Sequence, residues 1–152
     1  MEKRVSCRAV IVDEGKVVAM YREKKDRVYY TFPGGGINEG ETEVECVKRE
    51  CLEEFGIVVE PLNKLYVLED AKTIQNYYYC KWISGELGTG EGEEFEPDRN
   101  RGIYMPSLIP IENLEKLPLV PDEIKAEVLV DYNNNNLENR TEVKNIWSDF
   151  NG

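Results

Sequence analysis

Residues 34 to 57 read GGGINEGETEVECVKRECLEEFGI. Within this segment, Thr42 is followed three residues later by Glu45, which is the pattern of a capping box at the start of a helix. Gly56 is the type of residue that ends a helix, because glycine adopts the left-handed conformation without strain. The segment therefore predicts a helix over residues 42–55 with a glycine-rich turn before it.

The predicted helix has two chemically different faces. Glu50, Glu53 and Glu54 lie at i, i+3 and i+4 in its last turn, where the helix dipole disfavours each anion by about 0.3–1 kcal/mol. A solvated acidic face is one interpretation, but a locally unfavourable pattern beside a glycine turn favours a site that binds a divalent cation. Four residues at helical spacing predict an apolar stripe on the other face: Val44, Val47, Cys51 and Phe55.

Composition restricts the chemistry of such a site. With 152 residues, of which 41% are hydrophobic, one domain with one core is expected. The absence of histidine excludes a Ser-His-Asp triad, a Cys-His pair and imidazole-ligated zinc. Oxygen ligands indicate Mg²⁺, with Mn²⁺ as a substitute. Four cysteines without C-x-x-C spacing are expected to be isolated reduced thiols: Cys7, Cys46, Cys51 and Cys80.

The charge balance indicates the kind of partner. A net charge of −11 argues against binding to nucleic-acid polymers. Neither an apolar signal segment nor a stretch of membrane-spanning length occurs, so a cytoplasmic location without a membrane partner is expected. Among the basic residues before the glycine turn, Arg22 is the candidate substrate contact, whereas a loop of solvated charges is the alternative for the set: Arg22, Lys24, Lys25 and Arg27.

Strand-like patterns flank the helix on both sides. Mixed strands with helices on either side suit an α/β/α sandwich, and the turn between the first two strands is expected at Glu14-Gly15. For Tyr77, Tyr78, Tyr79 and Trp82, packing in the core is preferred over a base-stacking platform. The strands are predicted over residues 5–12, 16–21, 28–32, 64–68, 73–83 and 103–105, and a second helix over 121–132, with proline in its first turn.

The chain is expected to divide into a domain over residues 1–132 and a polar tail over residues 133–152. Residues 85–101 are acidic and glycine-rich, which predicts a mobile surface loop. In the tail, four apolar residues at helical spacing predict a helix that docks or forms a homodimer: Val143, Ile146, Trp147 and Phe150.

The glycine turn and its helix carry a resemblance to a known family. The spacing resembles the box of the Nudix hydrolases, the MutT-like proteins, and it is specific over residues 32–57. Cys51 departs from the pattern because it fills an aliphatic position, where a thiol still acts as a small buried hydrophobe. The matching pattern is Gly35, five residues, Glu41, seven residues, and then Arg49-Glu50-Cys51-x-Glu53-Glu54-x-Gly56-Ile57.

The resemblance implies an α/β/α sandwich with a mixed sheet. It also implies Mg²⁺-dependent hydrolysis of a nucleoside diphosphate linked to another group, in which water attacks a phosphorus of the diphosphate bridge. Damaged or ordinary nucleoside triphosphates, dinucleoside polyphosphates, ADP-ribose and other sugar nucleotides all fit the same box. A Nudix-fold sensor that binds a nucleotide without cleaving it is the rival interpretation, although such proteins usually lack box glutamates and none is missing here.

The same resemblance suggests roles for individual residues. Glu50 and Glu54 are the expected metal ligands, together with the backbone carbonyl of Gly34. Glu53 is expected to be a further ligand or the general base, and Arg49 to orient Glu50 or Glu53. The expected substrate contacts beside Arg22 are Gly35 and Gly36, and a glutamate of the acidic loop, Glu93 or Glu94, is expected to complete the metal site or act as base.

Overall fold

The computed structural model of the chain describes residues 2–88 and 103–148. In this part of the chain, no helix is long and apolar enough to cross a membrane. The elements follow in the order β1 Arg4–Val10, β2 Val12–Asp13, β3 Lys16–Lys24, β4 Arg27–Thr31, β5 Gly34–Gly36, α1 Glu43–Phe55, β6 Ile57–Glu69, β7 Thr73–Gly85, β8 Ile103–Pro110, a 3₁₀ helix Ile111–Lys116, β9 Leu119–Val120, α2 Asp122–Asn133 and β10 Lys144–Trp147.

The strands form two sheets. Sheet A has the order β10-β6-β7-β1-β5 and is mixed, because β1 runs parallel to β7 and antiparallel to β5. Sheet B has the order β2-β3-β4-β9, and β8 pairs with β3. The β2–β3 turn has positive φ at Glu14 (50°) and Gly15 (74°), which confirms the predicted turn.

Two hydrophobic cores pack against these sheets. One contains Cys51 and Phe55 of α1 together with Ala9 of β1. The other contains Ile124 and Val128 of α2. Helices therefore cover the strands on opposite sides, and the predicted α/β/α architecture is confirmed. Tyr77 and Tyr79 belong to the core with α2, and so does Phe32, which lies between β4 and β5. Several strand residues belong to it as well: Val10, Val17, Ala19, Leu65 and Tyr66.

Helix α1 begins and ends where local sequence signals predicted. The Thr42 hydroxyl accepts a hydrogen bond from the backbone of Glu45, and the Glu45 carboxylate accepts one from the backbone of Thr42. Gly56 ends the helix with a φ of 75°. The predicted stripe was wrong at Val44, which is 39% exposed. Cys46 is buried instead, because the glycine strand β5 covers it.

Strand β6 is longer than predicted, since it covers Ile57–Glu69. The prediction covers only residues 64–68 and leaves out the stretch that contains Pro61. The structure accommodates Pro61 at a register shift between β6 and β7, which is where a sheet tolerates proline.

The predicted C-terminal helix is wrong. Residues Lys144–Trp147 form β10, which pairs in parallel with β6. Val143 and Trp147 are 37% and 58% exposed, so their helical spacing does not correspond to a buried stripe. Valine, isoleucine and tryptophan all favour strands, and the edge of β6 supplies hydrogen-bonding partners. Phe150 lies outside the described residues.

The segment before β10 is attached to the domain by polar contacts. Arg140 donates to both carboxylate oxygens of Asp131 on α2, at 2.8 and 3.1 Å. The Tyr66 hydroxyl donates to the same carboxylate at 2.6 Å, and Asn63 donates to the carbonyl of Leu137. Leu137 is 5% exposed and belongs to the core with α2. Residues 134–148 therefore pack on the same core as the preceding elements.

Candidate active site

The glycine strand β5 lies so close to its neighbours that side chains are excluded at Gly34 and Gly35. A Cβ on Gly35 would stand 2.6 Å from Oε1 of Glu50, and a Cβ on Gly34 would overlap the carbonyl oxygen of Cys7. Gly34 also has a φ of 144°, which residues with side chains rarely adopt. Gly35 thus brings the backbone of the strand directly beside a carboxylate of α1.

Arg49 connects this strand to the carboxylates around it. Its Nε and Nη2 donate to Glu41 at 2.7 and 3.0 Å, and Nη1 donates to Glu50 at 2.9 Å. Nη2 also donates to the carbonyl of Gly36 at 3.0 Å. Hydrogen bonds from Arg49 lower the pKa of Glu41 to about 2, and those same bonds raise the pKa of Arg49. Arg49 therefore fixes the position of Glu50 relative to the glycine strand.

Glu50 and Glu54 meet in one cleft beside the glycine strand, with a volume of about 380 Å³. The Glu50 side chain is only 13% exposed, and Oε1 of Glu54 is buried. Glu53, by contrast, does not line the cleft: its side chain is 57% exposed and lies 3.3 Å from Nη1 of Arg49. The structure thus brings two of the three predicted box glutamates into the cleft. The three glycines line it as well: Gly34, Gly35 and Gly36.

Arg22 also lies at this cleft, where aromatic side chains hold it. Its Nη2 donates to the hydroxyl of Tyr104 at 2.8 Å, and its guanidinium carbon is 4.4 Å from the centre of that ring. Tyr29 lies on the guanidinium as well, at 5.7 Å. A cation stacked on rings loses less side-chain freedom when it binds an anion. The structure therefore places this predicted substrate contact in a position suited to phosphate.

Three further cleft residues were not identified from the sequence: Arg4, Arg8 and Tyr104. Arg4 and Arg8 lie on β1, which pairs with the glycine strand so that Arg8 is opposite Gly34 and Ser6 is opposite Gly36. The predicted strand over residues 5–12 includes Arg8 but not Arg4, which the structure adds at the start of β1 on the same face as Arg8. The sequence did not show that β1 is the partner of the glycine strand, because that pairing is long-range.

The residues of the cleft fit a divalent cation of the hard, oxygen-preferring kind. Within residues 2–88 and 103–148, no three carboxylate or thiol groups lie close enough together to hold a metal ion. Mg²⁺ in nucleotide sites is usually held by one or two carboxylates together with substrate phosphates and water, and Glu50 and Glu54 meet that requirement. The predicted contribution of Glu93 or Glu94 falls outside the described residues.

A second cavity, of about 430 Å³, adjoins the cleft. The two share Arg8, Thr31 and Phe32. Polar side chains of Gln75 and of the first turn of α2, Asp122 and Glu123, complete its lining, together with Arg27, Val120 and Pro121. Its volume lies in the range of small-molecule sites, and it combines an aromatic ring with hydrogen-bonding groups.

The four cysteines are buried and free. Burial raises the pKa of Cys51 well above its ordinary value, and it raises the pKa of Cys7 and of Cys80 to about 12. A thiol of this kind is a poor nucleophile near neutral pH. The thiol of Cys46 donates weakly to the carbonyls of Gly35 and Gly36, at 3.6 and 3.7 Å. These contacts link α1 to the glycine strand.

The sequence and the fold correspond to a known family. The model of the NUDIX domain matches residues 2–127. The chain belongs to the NUDIX family.

One curated relative is an 8-oxo-dGTP diphosphatase from Buchnera aphidicola subsp. Acyrthosiphon pisum. It is 36% identical over 69 residues, which are 43% of this chain and 56% of the relative. The chain thus spans little more than half the length of the curated relative that it matches.

Solved structures share the fold over most of the chain. An ADP-ribose pyrophosphatase from Streptococcus suis 89-1591 has a TM-score of 0.68 at 19% identity, covering 95% of this chain and 99% of that one. A MutT NUDIX hydrolase from Burkholderia pseudomallei has a TM-score of 0.64 at 24% identity, covering 86% and 98%. At these identities the likeness shows the fold.

Proposed function

We propose that this chain hydrolyses a phosphoanhydride bond in a nucleoside diphosphate linked to another group, with Mg²⁺ as cofactor and Mn²⁺ as a substitute. The observation that carries the proposal is the meeting of Glu50 and Glu54 with the glycine strand in a single cleft. The NUDIX family match and the relative that is an 8-oxo-dGTP diphosphatase support the same reaction class.

In this proposal, the box glutamates hold the cation and prepare the attacking water. Glu50 and Glu54 are the ligands that already lie in the cleft, and Gly34 offers its backbone carbonyl. When bound, the cation neutralises charge on the phosphoryl oxygens and lowers the pKa of a water molecule. Glu53, exposed and one turn from Glu50, reaches the cleft by rotation of its side chain and serves as a further ligand or as the general base. Arg49 keeps Glu50 in place.

In the proposed complex, the substrate spans the cleft and the adjoining cavity. The diphosphate lies in the cleft, where Gly35 and Gly36 admit it closely and Arg22 supplies positive charge. The nucleoside then occupies the adjoining cavity, with Phe32 beside it and the polar groups of Gln75 and Asp122 available for hydrogen bonds to the base. Water attacks a phosphorus of the diphosphate bridge, on the side of the glutamates.

The test is a phosphate-release screen over a nucleotide panel in the presence of Mg²⁺, with wild-type protein and single variants. E50Q, E53Q and E54Q should each lower turnover by at least about 10²-fold, because each loses a ligand or the base while keeping its volume. The matched control is E60Q, which removes the same charge from an exposed glutamate of β6. Near-normal rates in E50Q or E54Q at saturating Mg²⁺ would refute the site.

A further inference from the structure

Three arginines reach the cleft from two different sheets. Arg4 and Arg8 lie on β1, Arg22 lies on β3, and all three line the cleft that contains Glu50 and Glu54. Arg4 and Arg8 are four residues apart on one strand, so their side chains emerge on the same face, with Cα atoms about 13 Å apart. Positive groups therefore extend along the cleft instead of meeting at one point.

The three guanidinium groups have no carboxylate partner in the described part of the chain. Within residues 2–88 and 103–148, none of them forms an ion pair, although the chain has a net charge of −11. Two of the three are nevertheless positioned by hydrogen bonds: Arg8 donates to the carbonyl of Phe32 at 2.9 Å, and Arg22 donates to the hydroxyl of Tyr104. Within the described part of the chain, their charge is therefore not neutralised by an ion pair.

The charge in the cleft can be compared with that of the candidate substrates. Glu50 and Glu54 together balance one divalent cation, which leaves the three arginines for the substrate. A bridging phosphate carries one negative charge and a terminal phosphate about 1.5 to 2. The bridge of a nucleotide sugar or of ADP-ribose therefore offers about two negative charges, whereas a nucleoside triphosphate offers about 3.5 to 4. The three positive charges of the arginines are therefore closer to the charge of a triphosphate than to that of a diphosphate bridge.

We infer that Arg4, Arg8 and Arg22 select a nucleoside triphosphate over a nucleotide sugar or ADP-ribose, with Arg4 at the terminal phosphate. The inference rests on the proposed function and narrows its substrate class. Arg8 belongs to both cavities, so it lies where the nucleoside joins the phosphates. Arg4 lies beside the other end of the glycine strand, with Nη2 3.9 Å from the point where a Cβ of Gly36 would stand.

The experiment compares kcat/KM for nucleoside triphosphates, ADP-ribose, UDP-glucose and a dinucleoside polyphosphate with Mg²⁺. Wild-type protein should favour a triphosphate by about 10²-fold, because a site built to bind a group rejects analogues without it. R4Q should lower kcat/KM for triphosphates by at least about tenfold, mainly through KM, and leave ADP-ribose within about twofold. R4K should recover part of the loss. Arg4 is exposed, so these variants are expected to fold.

The control is K81Q, which removes one positive charge from an exposed position on β7. It should leave the ratios of kcat/KM between the substrates unchanged. A preference for ADP-ribose, UDP-glucose or a dinucleoside polyphosphate overturns the inference, as does an equal loss on all substrates in R4Q. If E50Q hydrolyses as well as wild type, the proposed function fails instead. Calorimetric binding of an imido analogue of a nucleoside triphosphate then decides the inference separately, because R4Q must bind it at least about tenfold more weakly.

Discussion

The guanidinium of Arg49 links the backbone of the glycine strand to the carboxylates of α1. Because it donates to Glu41, Glu50 and Gly36 at once, the geometry of the cleft depends on a charged group that does not itself line it. Its fork of donors matches this arrangement, which the single ammonium of lysine does not reproduce. Arg49 is accordingly a positioning residue in the proposed reaction.

The pairing of Glu41 with Arg49 makes stability depend on pH in a defined window. The pKa of Glu41 is lowered from 4.5 to about 2, so the folded protein favours the ionised carboxylate. A carboxyl group whose pKa is lower in the folded than in the unfolded protein stabilises the fold fully at a pH above its unfolded-state pKa. This stabilisation disappears as the pH falls through its folded-state pKa. The difference in Tm between wild type and E41Q should therefore be complete above pH 4.5 and shrink towards pH 2. Thermal unfolding across pH 2–7 measures it, and a pH-independent difference would contradict the assignment.

Cys51 is expected to be a packing residue. It is fully buried in the core beneath α1. C51V should change the free energy of unfolding by no more than about 1.5 kcal/mol and leave turnover intact, as a nearly isosteric exchange. C51D should unfold or aggregate, because it buries a charge without a partner.

A thiol reagent supplies the check on Cys51. The native protein should react slowly, since burial both hides the thiol and raises its pKa. Rapid modification with loss of activity, prevented by substrate, would indicate covalent catalysis instead.

At the scale of elements, the residues at the ends of a helix predict its bounds, whereas the length and partner of a strand depend on contacts that are remote in sequence. The ends of α1 follow from Thr42, Glu45 and Gly56, whose effects act within one turn of the helix. The lengths of β6 and β10 depend on a partner strand remote in sequence, which no pattern of single residues specifies. For the same reason the sequence predicts that Glu50 and Glu54 lie together on α1, whereas the positions of Arg4 and Arg8 at the cleft follow from the pairing of β1 with β5.

Strand β10 offers a test of how firmly the C-terminal segment belongs to the domain. I146P should lower the free energy of unfolding by about 1–2 kcal/mol more than I146A does, because proline removes the backbone donor that Ile146, like Ser148 two residues later, directs at β6. I146A loses the same side-chain packing but keeps the donor, so it is the matched control. Chemical denaturation of both variants measures the difference, and equal stabilities would show that the pairing contributes little.

At the scale of the whole molecule, the cleft draws on strands of both sheets. Glycines and arginines of sheet A face Arg22 and Tyr104 of sheet B, while α1 supplies the glutamates. A ligand that contacts sheet A, sheet B and α1 together would bind the folded protein and not the unfolded chain. Such binding raises the free energy of unfolding by mass action. The architecture was predictable from the alternation of strands and helices, but the meeting of these groups required the three-dimensional pairing.

The two edges of sheet A are formed by strands of three and four residues, β5 and β10. Short edge strands are one of the means by which β-proteins avoid aggregation through open backbone groups. Without β10, residues 66–69 at the end of β6 would present open backbone groups at the edge of the sheet. The C-terminal strand thus has a consequence for solubility as well as for stability: it shortens the template that β6 offers for intermolecular β-pairing.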